Sequence, residues 1–196
     1  WGEARTDQPP LVLLHGGSGS WTHWVRNILP LVDRGRSVLA ADLPGFGASD
    51  APPARSDADA MVAPLASGLR QLSDGRPVDL VGFSFGGLSA GLLLAEHPEL
   101  ARRLVLVGAP AMGVVPQRQF QLRAWRHLKT PAEQIEAHRH NLAELMLHDA
   151  TLIDGLALEI HIDNVLRDRL SSRRLAHTDI LARRLPHVPC PVHAIY

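Results

Sequence analysis

The pentapeptide Gly82-Phe83-Ser84-Phe85-Gly86 stands between a short strand-like run, Val78-Asp79-Leu80-Val81, and a longer helical segment stopped by Pro98. A strand that turns directly into a helix tolerates only small residues two before and two after the apex, because the helix backbone returns close to the strand. Gly82 and Gly86 meet that demand, and Gly87 gives the helix further room to pack. The apex is a serine. The turn lifts its hydroxyl above the strand ends and places it at a helix N-terminus, where amides and the helix dipole favour developing negative charge. In this context Gly-x-Ser-x-Gly reads as a nucleophile elbow with Ser84 as nucleophile. The alternative is a glycine-rich strand-to-helix turn with an incidental serine.

The rest of the first half repeats the strand-then-helix rhythm. Leu11-Val12-Leu13-Leu14, bounded by Pro9-Pro10 and Gly16-Gly17, reads as a buried strand. The spacing of Trp21, Trp24, Val25, Ile28, Leu29 and Val32 predicts a helix over 21–32. Val38-Leu39-Ala40-Ala41 reads as a second strand. A helix over about 60–72 follows, with Pro64 confined to its first turn because an interior proline breaks the hydrogen-bond ladder. Leu104-Val105-Leu106-Val107 reads as a fourth strand. Strands apolar on both faces belong to sheets covered on both sides, so the expected class is α/β, a doubly wound, mostly parallel sheet. After Pro110 the rhythm changes. Residues 114–186 hold no convincing strand and read as three or four helices, carrying Phe120, Trp125 and Leu128, then Ile135, Leu142 and Leu145, then Leu152, Leu156 and Ile160, then Leu181 and Leu185. Structureless insertions of that size are rare in compact domains, so the segment is expected to be a helical cap. Strand character returns at Pro191-Val192-His193-Ala194-Ile195-Tyr196. The expected division is 1–113 for the first part of the core, 114–186 for the cap and 187–196 for the return to the sheet.

Composition removes several functional classes. Hydrophobic residues at 45% and charged residues at 20% exclude a disordered chain. Twenty basic residues against 20 acidic ones argue against a binder of nucleic acid or of anionic membranes. The apolar runs are too short to span a bilayer, and no signal-peptide pattern is present, so the expected location is cytoplasmic. One cysteine, Cys190, excludes an intrachain disulfide and a cysteine-based zinc cluster. No metal or organic cofactor is implied. The expected partner is a small-molecule substrate, and no oligomerisation signature stands out.

A serine nucleophile needs two N–H donors for the oxyanion of its tetrahedral intermediate. Phe85, immediately after Ser84, supplies one amide. His15-Gly16-Gly17-Ser18-Gly19 follows the first strand and supplies the other, with Gly17 as the choice and Ser18 as the nearest competitor; a plain glycine-rich connection is the alternative. His15 reads as a loop histidine rather than a base, and Asp42 as a turn carboxylate rather than a triad acid. In the cap segment, Asn164 and Arg167 are candidates for gripping a substrate carbonyl or carboxylate, with Ser18 a third substrate contact. A solvated helix face with an Asp163–Arg167 ion pair is the alternative.

His15-Gly16-Gly17, Asp42-Leu43-Pro44-Gly45-Phe46-Gly47-Ala48-Ser49 and Gly82-Phe83-Ser84-Phe85-Gly86-Gly87 resemble, in order and spacing, the α/β-hydrolase superfamily. Leu104 to Pro110 looks like the strand before that family's cap, and Pro189 to Tyr196 like the strand after it. The resemblance implies Ser84 as nucleophile and the Gly17 and Phe85 amides as oxyanion donors. Serine at 84 argues against the dehalogenase and epoxide hydrolase branches, which use aspartate there. The helical cap and His-Gly-Gly loop look like the branch holding small-ester hydrolases and carbon–carbon hydrolases of aromatic-ring degradation. The latter typically carry Asn before the nucleophile and Gly-Pro-Gly-Ala in the oxyanion loop; here stand Phe83 and Ser18-Gly19-Ser20-Trp21, which favours an ester, thioester or lactone. A non-catalytic ligand-binding protein on the same fold is a reading of another class. The family's chain order is Ser, then Asp/Glu, then His. The acid and histidine are therefore expected beyond Tyr196, and an edge hairpin before Trp1, which makes 196 residues the middle of a longer chain.

Overall fold

Five strands form one parallel sheet in the computed structural model, which describes residues 1–3, 7–52, 57–114 and 120–196. They are β1 (Leu11–Leu14), β2 (Val38–Ala41), β3 (Val78–Phe83), β4 (Ala101–Val107) and β5 (Val192–Ile195), in the order β2-β1-β3-β4-β5. The chain leaves β1 towards β2 on one side and then returns to place β3 on the other. β1 and β3 are therefore neighbours at a switch point, where α/β sheets open a crevice beyond their carboxyl ends. Their register pairs Leu14 with Gly82, so the segments that follow both strands emerge side by side.

The helices of this part follow the expected rhythm with adjusted ends. The predicted 21–32 helix is a 3-10 turn at Trp21–Trp24, capped by the Ser20 hydroxyl, continuing as α1 (Val25–Val32). α2 (Val62–Leu72) holds Pro64 in its first turn. α3 (Phe85–Glu96) is buried from Phe85 to Leu94 on every side, as its nearly uniform apolar sequence requires. Leu14, Leu80, Leu88, Leu93, Leu104 and Leu106 are among the fully buried side chains of its core. At the opposite end of the sheet the Asp79 carboxylate, 3% exposed, accepts hydrogen bonds from Arg36 Nη2 at 2.6 Å and Arg102 Nε at 2.7 Å. Burial alone would push its pKa up; the two guanidinium groups outweigh that and hold it below the usual carboxylate range.

The chain divides into two compact units, Trp1–Val114 with Arg167–Tyr196, and Val115–Leu166. The stretch expected as one helical insertion over 114–186 is thus split, and its last twenty residues belong with the sheet. There α6 (Ile180–Arg184) packs on α3, and the fully buried Leu181 fills the notch at Gly91, where a Cβ would stand 2.2 Å from Leu181 Cδ1.

The second unit contains α4 (Pro131–Leu145) and α5 (Gly155–Leu166) around Leu142, Ile153 and Leu158. α4 begins in a capping box: Thr130 Oγ1 accepts from the Glu133 amide, Glu133 Oε2 accepts from the Thr130 amide, and Pro131 occupies the first helical position. The helix expected around Phe120, Trp125 and Leu128 does not form among the described residues. The backbone of this segment is held by side chains of α4 instead: Asn141 bonds both the amide and the carbonyl of Arg123, the His140 ring bonds Gln121 O, and Gln134 donates to Leu128 O. Leu152 lies in a 3-10 turn ahead of α5 rather than within it.

Candidate active site

Ser84 sits at φ +50°, ψ −117°, between β3 and α3. A positive φ is costly for a residue with a Cβ, by about 1–3 kcal/mol, and such residues persist only where packing enforces them. The glycines supply the enforcement. A Cβ on Gly82 would stand 2.6 Å from Gly86 O and from Gly87 Cα, and one on Gly86 would stand 2.5 Å from both Leu14 O and His15 O. β3, α3 and the end of β1 therefore meet backbone to backbone. The Ser84 amide donates to Val107 O at 2.8 Å, and its carbonyl accepts from the Gly87 amide at 2.9 Å, which ties the apex to β4 and α3.

The loop after β1 lies against this elbow. A Cβ on Gly16 would be 3.0 Å from the Phe83 ring and 3.4 Å from Ser84 Cβ. Gly17, Ser18, Ser84 and Phe85 thus come together at the carboxyl ends of β1 and β3. Of the other two candidates, Asn164 is buried on α5 in the second unit, and Arg167 is exposed in the first.

His15 lies beneath the loop, fully buried. Its Nε2 accepts from the Leu43 amide at 2.9 Å, so its Nδ1 carries the proton donated to Gly16 O at 2.7 Å. Burial pulls its pKa down to about 4, against a smaller upward pull from that hydrogen bond and from Asp42 and Asp168. With both nitrogens committed to backbone and the charged form disfavoured, His15 is a neutral brace. Asp42 is a turn carboxylate: it accepts from the Trp21 and Ala48 amides at 2.7 and 2.9 Å and presses against Gly47, which takes φ +51°.

Three groups here carried no marker in the one-dimensional pattern. His23 Nδ1 accepts from the Gly16 amide at 3.3 Å, and its ring occupies the space beside Gly19. Asp168 and Arg173 come from the segment that returns from the second unit and contact Ser18 across 150 and 155 residues of chain. With 19 arginines among 20 basic residues, composition hides which one matters. In the second unit, His138 and His161 pack ring to ring at 5.6 Å beside Trp125, both buried. Burial, with a smaller push between the rings, pulls His161 down to about 4.

Among the described residues no group of three or more His, Cys, Asp or Glu side chains could hold a metal ion, and no helix is long and apolar enough to cross a membrane. The family model described as alpha/beta hydrolase fold matches residues 9–175. The chain is 29% identical over 202 residues to 2-hydroxymuconate semialdehyde hydrolase of Pseudomonas sp. (strain CF600), covering 94% of this chain and 69% of that protein. It is 39% identical over 171 residues to 2-hydroxy-6-oxononadienedioate/2-hydroxy-6-oxononatrienedioate hydrolase of Escherichia coli (strain K12), covering 83% and 58%. It is 30% identical over 147 residues to 2-hydroxy-6-oxo-6-phenylhexa-2,4-dienoate hydrolase of Comamonas testosteroni, covering 73% and 51%. The chain thus spans between about half and about two thirds of the length of these relatives. Among solved structures, the esterase RhEst1 from Rhodococcus sp. ECU1013 superposes with a TM-score of 0.67 at 22% identity, over 98% of this chain and 83% of that one, a likeness of fold. Sheet order, elbow and family match agree, and the chain belongs to the alpha/beta hydrolase fold family.

Proposed function

We propose that this protein is a serine hydrolase in which Ser84 attacks an acyl carbonyl and holds the acyl group as an ester until water removes it. The observation that carries the reading is the left-handed backbone of Ser84, enforced by the close packing of Gly82 and Gly86 at the switch point of the sheet. A strained serine at the start of a buried helix has one evident use, which is to present its hydroxyl to a ligand beyond the strand ends. The Gly17 and Phe85 amides are the proposed oxyanion donors. The general base and its orienting acid are proposed to follow Ser84 along the chain, in the order Ser, Asp/Glu, His. His15 is not the base, because its Nε2 is already an acceptor for a backbone amide.

The proposed substrate is a small, largely apolar ester, thioester or lactone. Phe83 before the nucleophile and Ser18 in the oxyanion loop support this choice over carbon–carbon cleavage. A second reading has its own support: the curated relatives at 29–39% identity are named as hydrolases of 2-hydroxymuconate semialdehyde, of 2-hydroxy-6-oxononadienedioate/2-hydroxy-6-oxononatrienedioate and of 2-hydroxy-6-oxo-6-phenylhexa-2,4-dienoate. On that reading, Ser84 attacks the 6-oxo carbon and the bond broken is carbon–carbon.

The experiment uses the full-length protein and a fluorophosphonate probe. Ser84 is expected to be labelled, and the Ser84→Ala variant is expected to remain unlabelled. Steady-state assays with p-nitrophenyl butyrate and with 2-hydroxy-6-oxo-6-phenylhexa-2,4-dienoate then choose between the two substrate classes. A folded wild type that leaves Ser84 unlabelled and turns over neither compound would sink both readings in favour of a ligand-binding protein.

A further inference from the structure

The segment 168–175 brings two charged side chains onto the oxyanion loop for which the chemistry above has no use. Asp168, 10% exposed, accepts from the Ser18 hydroxyl at 2.7 Å through the same Oδ2 that receives Arg173 Nη2. Arg173 Nη2 also reaches Ser18 Oγ at 3.4 Å, so the three groups close a triangle on one carboxylate oxygen. The body of the Arg173 side chain lies on Gly17: a Cβ there would be 3.3 Å from Nε and 3.8 Å from Cδ and Cζ. The guanidinium lies 5.6 Å from the Phe46 ring centre and 5.9 Å from that of Phe85. One side chain therefore contacts both residues whose amides are the proposed oxyanion donors, and the serine that follows one of them.

The surroundings suit positioning rather than ligand binding. The charge of Arg173 is already matched by Asp168, and its Nε is sealed from solvent with no partner among the described residues. The segment itself is anchored. Asp57, buried, accepts from the Ser172 hydroxyl and the Leu175 amide at 3.1 Å each, and the Arg169 amide donates to Gly45 O at 2.9 Å. What the pair holds is a residue in a disfavoured conformation, since Ser18 stands at φ +48°.

We propose that Asp168 and Arg173 are positioning residues for the oxyanion hole. They clamp Ser18 in the left-handed region, and the clamp fixes the loop that carries the Gly17 amide. Without it, Ser18 relaxes towards an ordinary backbone conformation and the Gly17 N–H leaves the point where negative charge develops. The inference rests on the serine-hydrolase reading. A loop misplaced by a fraction of an ångström weakens binding of the tetrahedral species far more than binding of the ground state.

The test compares full-length wild type with Asp168→Asn, Ser18→Ala, Arg173→Ala and Arg173→Lys. Two quantities are read: the rate of Ser84 labelling by a fluorophosphonate, and the inhibition constant of a trifluoromethyl ketone that forms a tetrahedral adduct on the serine. Asp168→Asn and Ser18→Ala are expected to slow labelling about 10- to 100-fold and to weaken the ketone by a similar factor, less than the loss of an oxyanion donor itself. Arg173→Lys is expected to recover part of what Arg173→Ala loses. Ser18→Ala changes a single oxygen and serves if Asp168→Asn does not fold. Variants that lower Tm while labelling rate and ketone affinity stay at wild-type values would overturn the clamp alone. A folded wild type that is never labelled would overturn the hydrolase reading and the clamp with it.

Discussion

At the scale of single residues, the elbow depends on the absence of side chains rather than on their presence. A Cβ on Gly82 or Gly86 would meet backbone atoms at 2.5–2.6 Å, and backbone cannot turn aside as a flexible side chain can. Gly82→Ala or Gly86→Ala is therefore expected to cost at least about 1–3 kcal/mol in urea unfolding and to reduce Ser84 labelling. Gly68, inside α2 with nothing within 4 Å of where an alanine methyl would stand, is the contrast: Gly68→Ala is expected to stabilise by about 0.5–1 kcal/mol. The brace under the loop after β1 predicts a pH dependence. His15 titrates near 6.5 when unfolded and at about 4 when folded. Between these values the unfolded chain binds a proton that the folded chain does not, so stability is present above pH 6.5 and is lost as pH falls towards 4. A loss on the order of 3 kcal/mol is expected from this one group, measured as the urea midpoint across that range, and His161 adds in the same direction. An unfolding midpoint flat from pH 6.5 to 4 would contradict the buried neutral assignment.

At the scale of elements, packing decides what a helical pattern becomes. The spacing of Leu181 and Leu185 predicts a helix, and one forms, but its partner is α3 of the sheet unit. The complementarity that sends it there, a leucine in the notch of Gly91, joins residues 90 positions apart and leaves no local trace. Leu181→Ala should open a cavity in that contact and cost about 2–5 kcal/mol; a loss below 0.5 kcal/mol would show that α6 is not a structural part of the core. The stretch from Phe120 to Leu128 shows the opposite outcome. Its apolar spacing resembles a helix, yet Asn141, His140 and Gln134 of α4 satisfy its backbone in an irregular path. Periodicity registers which side chains are apolar, not which polar side chains will reach the backbone.

At the scale of the molecule, family membership shows the alpha/beta hydrolase fold and leaves the nucleophile and the substrate to experiment. If the ester reading holds, p-nitrophenyl butyrate should be turned over with a kcat/KM at least about tenfold above that for the dienoate, a difference of roughly 1.4 kcal/mol between the two transition states; the reverse order would favour the relatives' chemistry. By itself, the amino-acid sequence determined the α/β class, the strands, the elbow and the choice of Ser84, Gly17 and Phe85 as candidates. Each of these is written in neighbouring residues: period-two and 3.6-residue patterns, glycines at a sharp turn, a serine at its apex. Only the tertiary structure decided that residues 167–186 belong with the sheet, that His15 is a neutral brace, and that Asp168 and Arg173 seat themselves on the loop after β1. Those outcomes depend on burial and on contacts across 150 residues of chain, where the energy lies in how surfaces meet and not in the order of residues along either one.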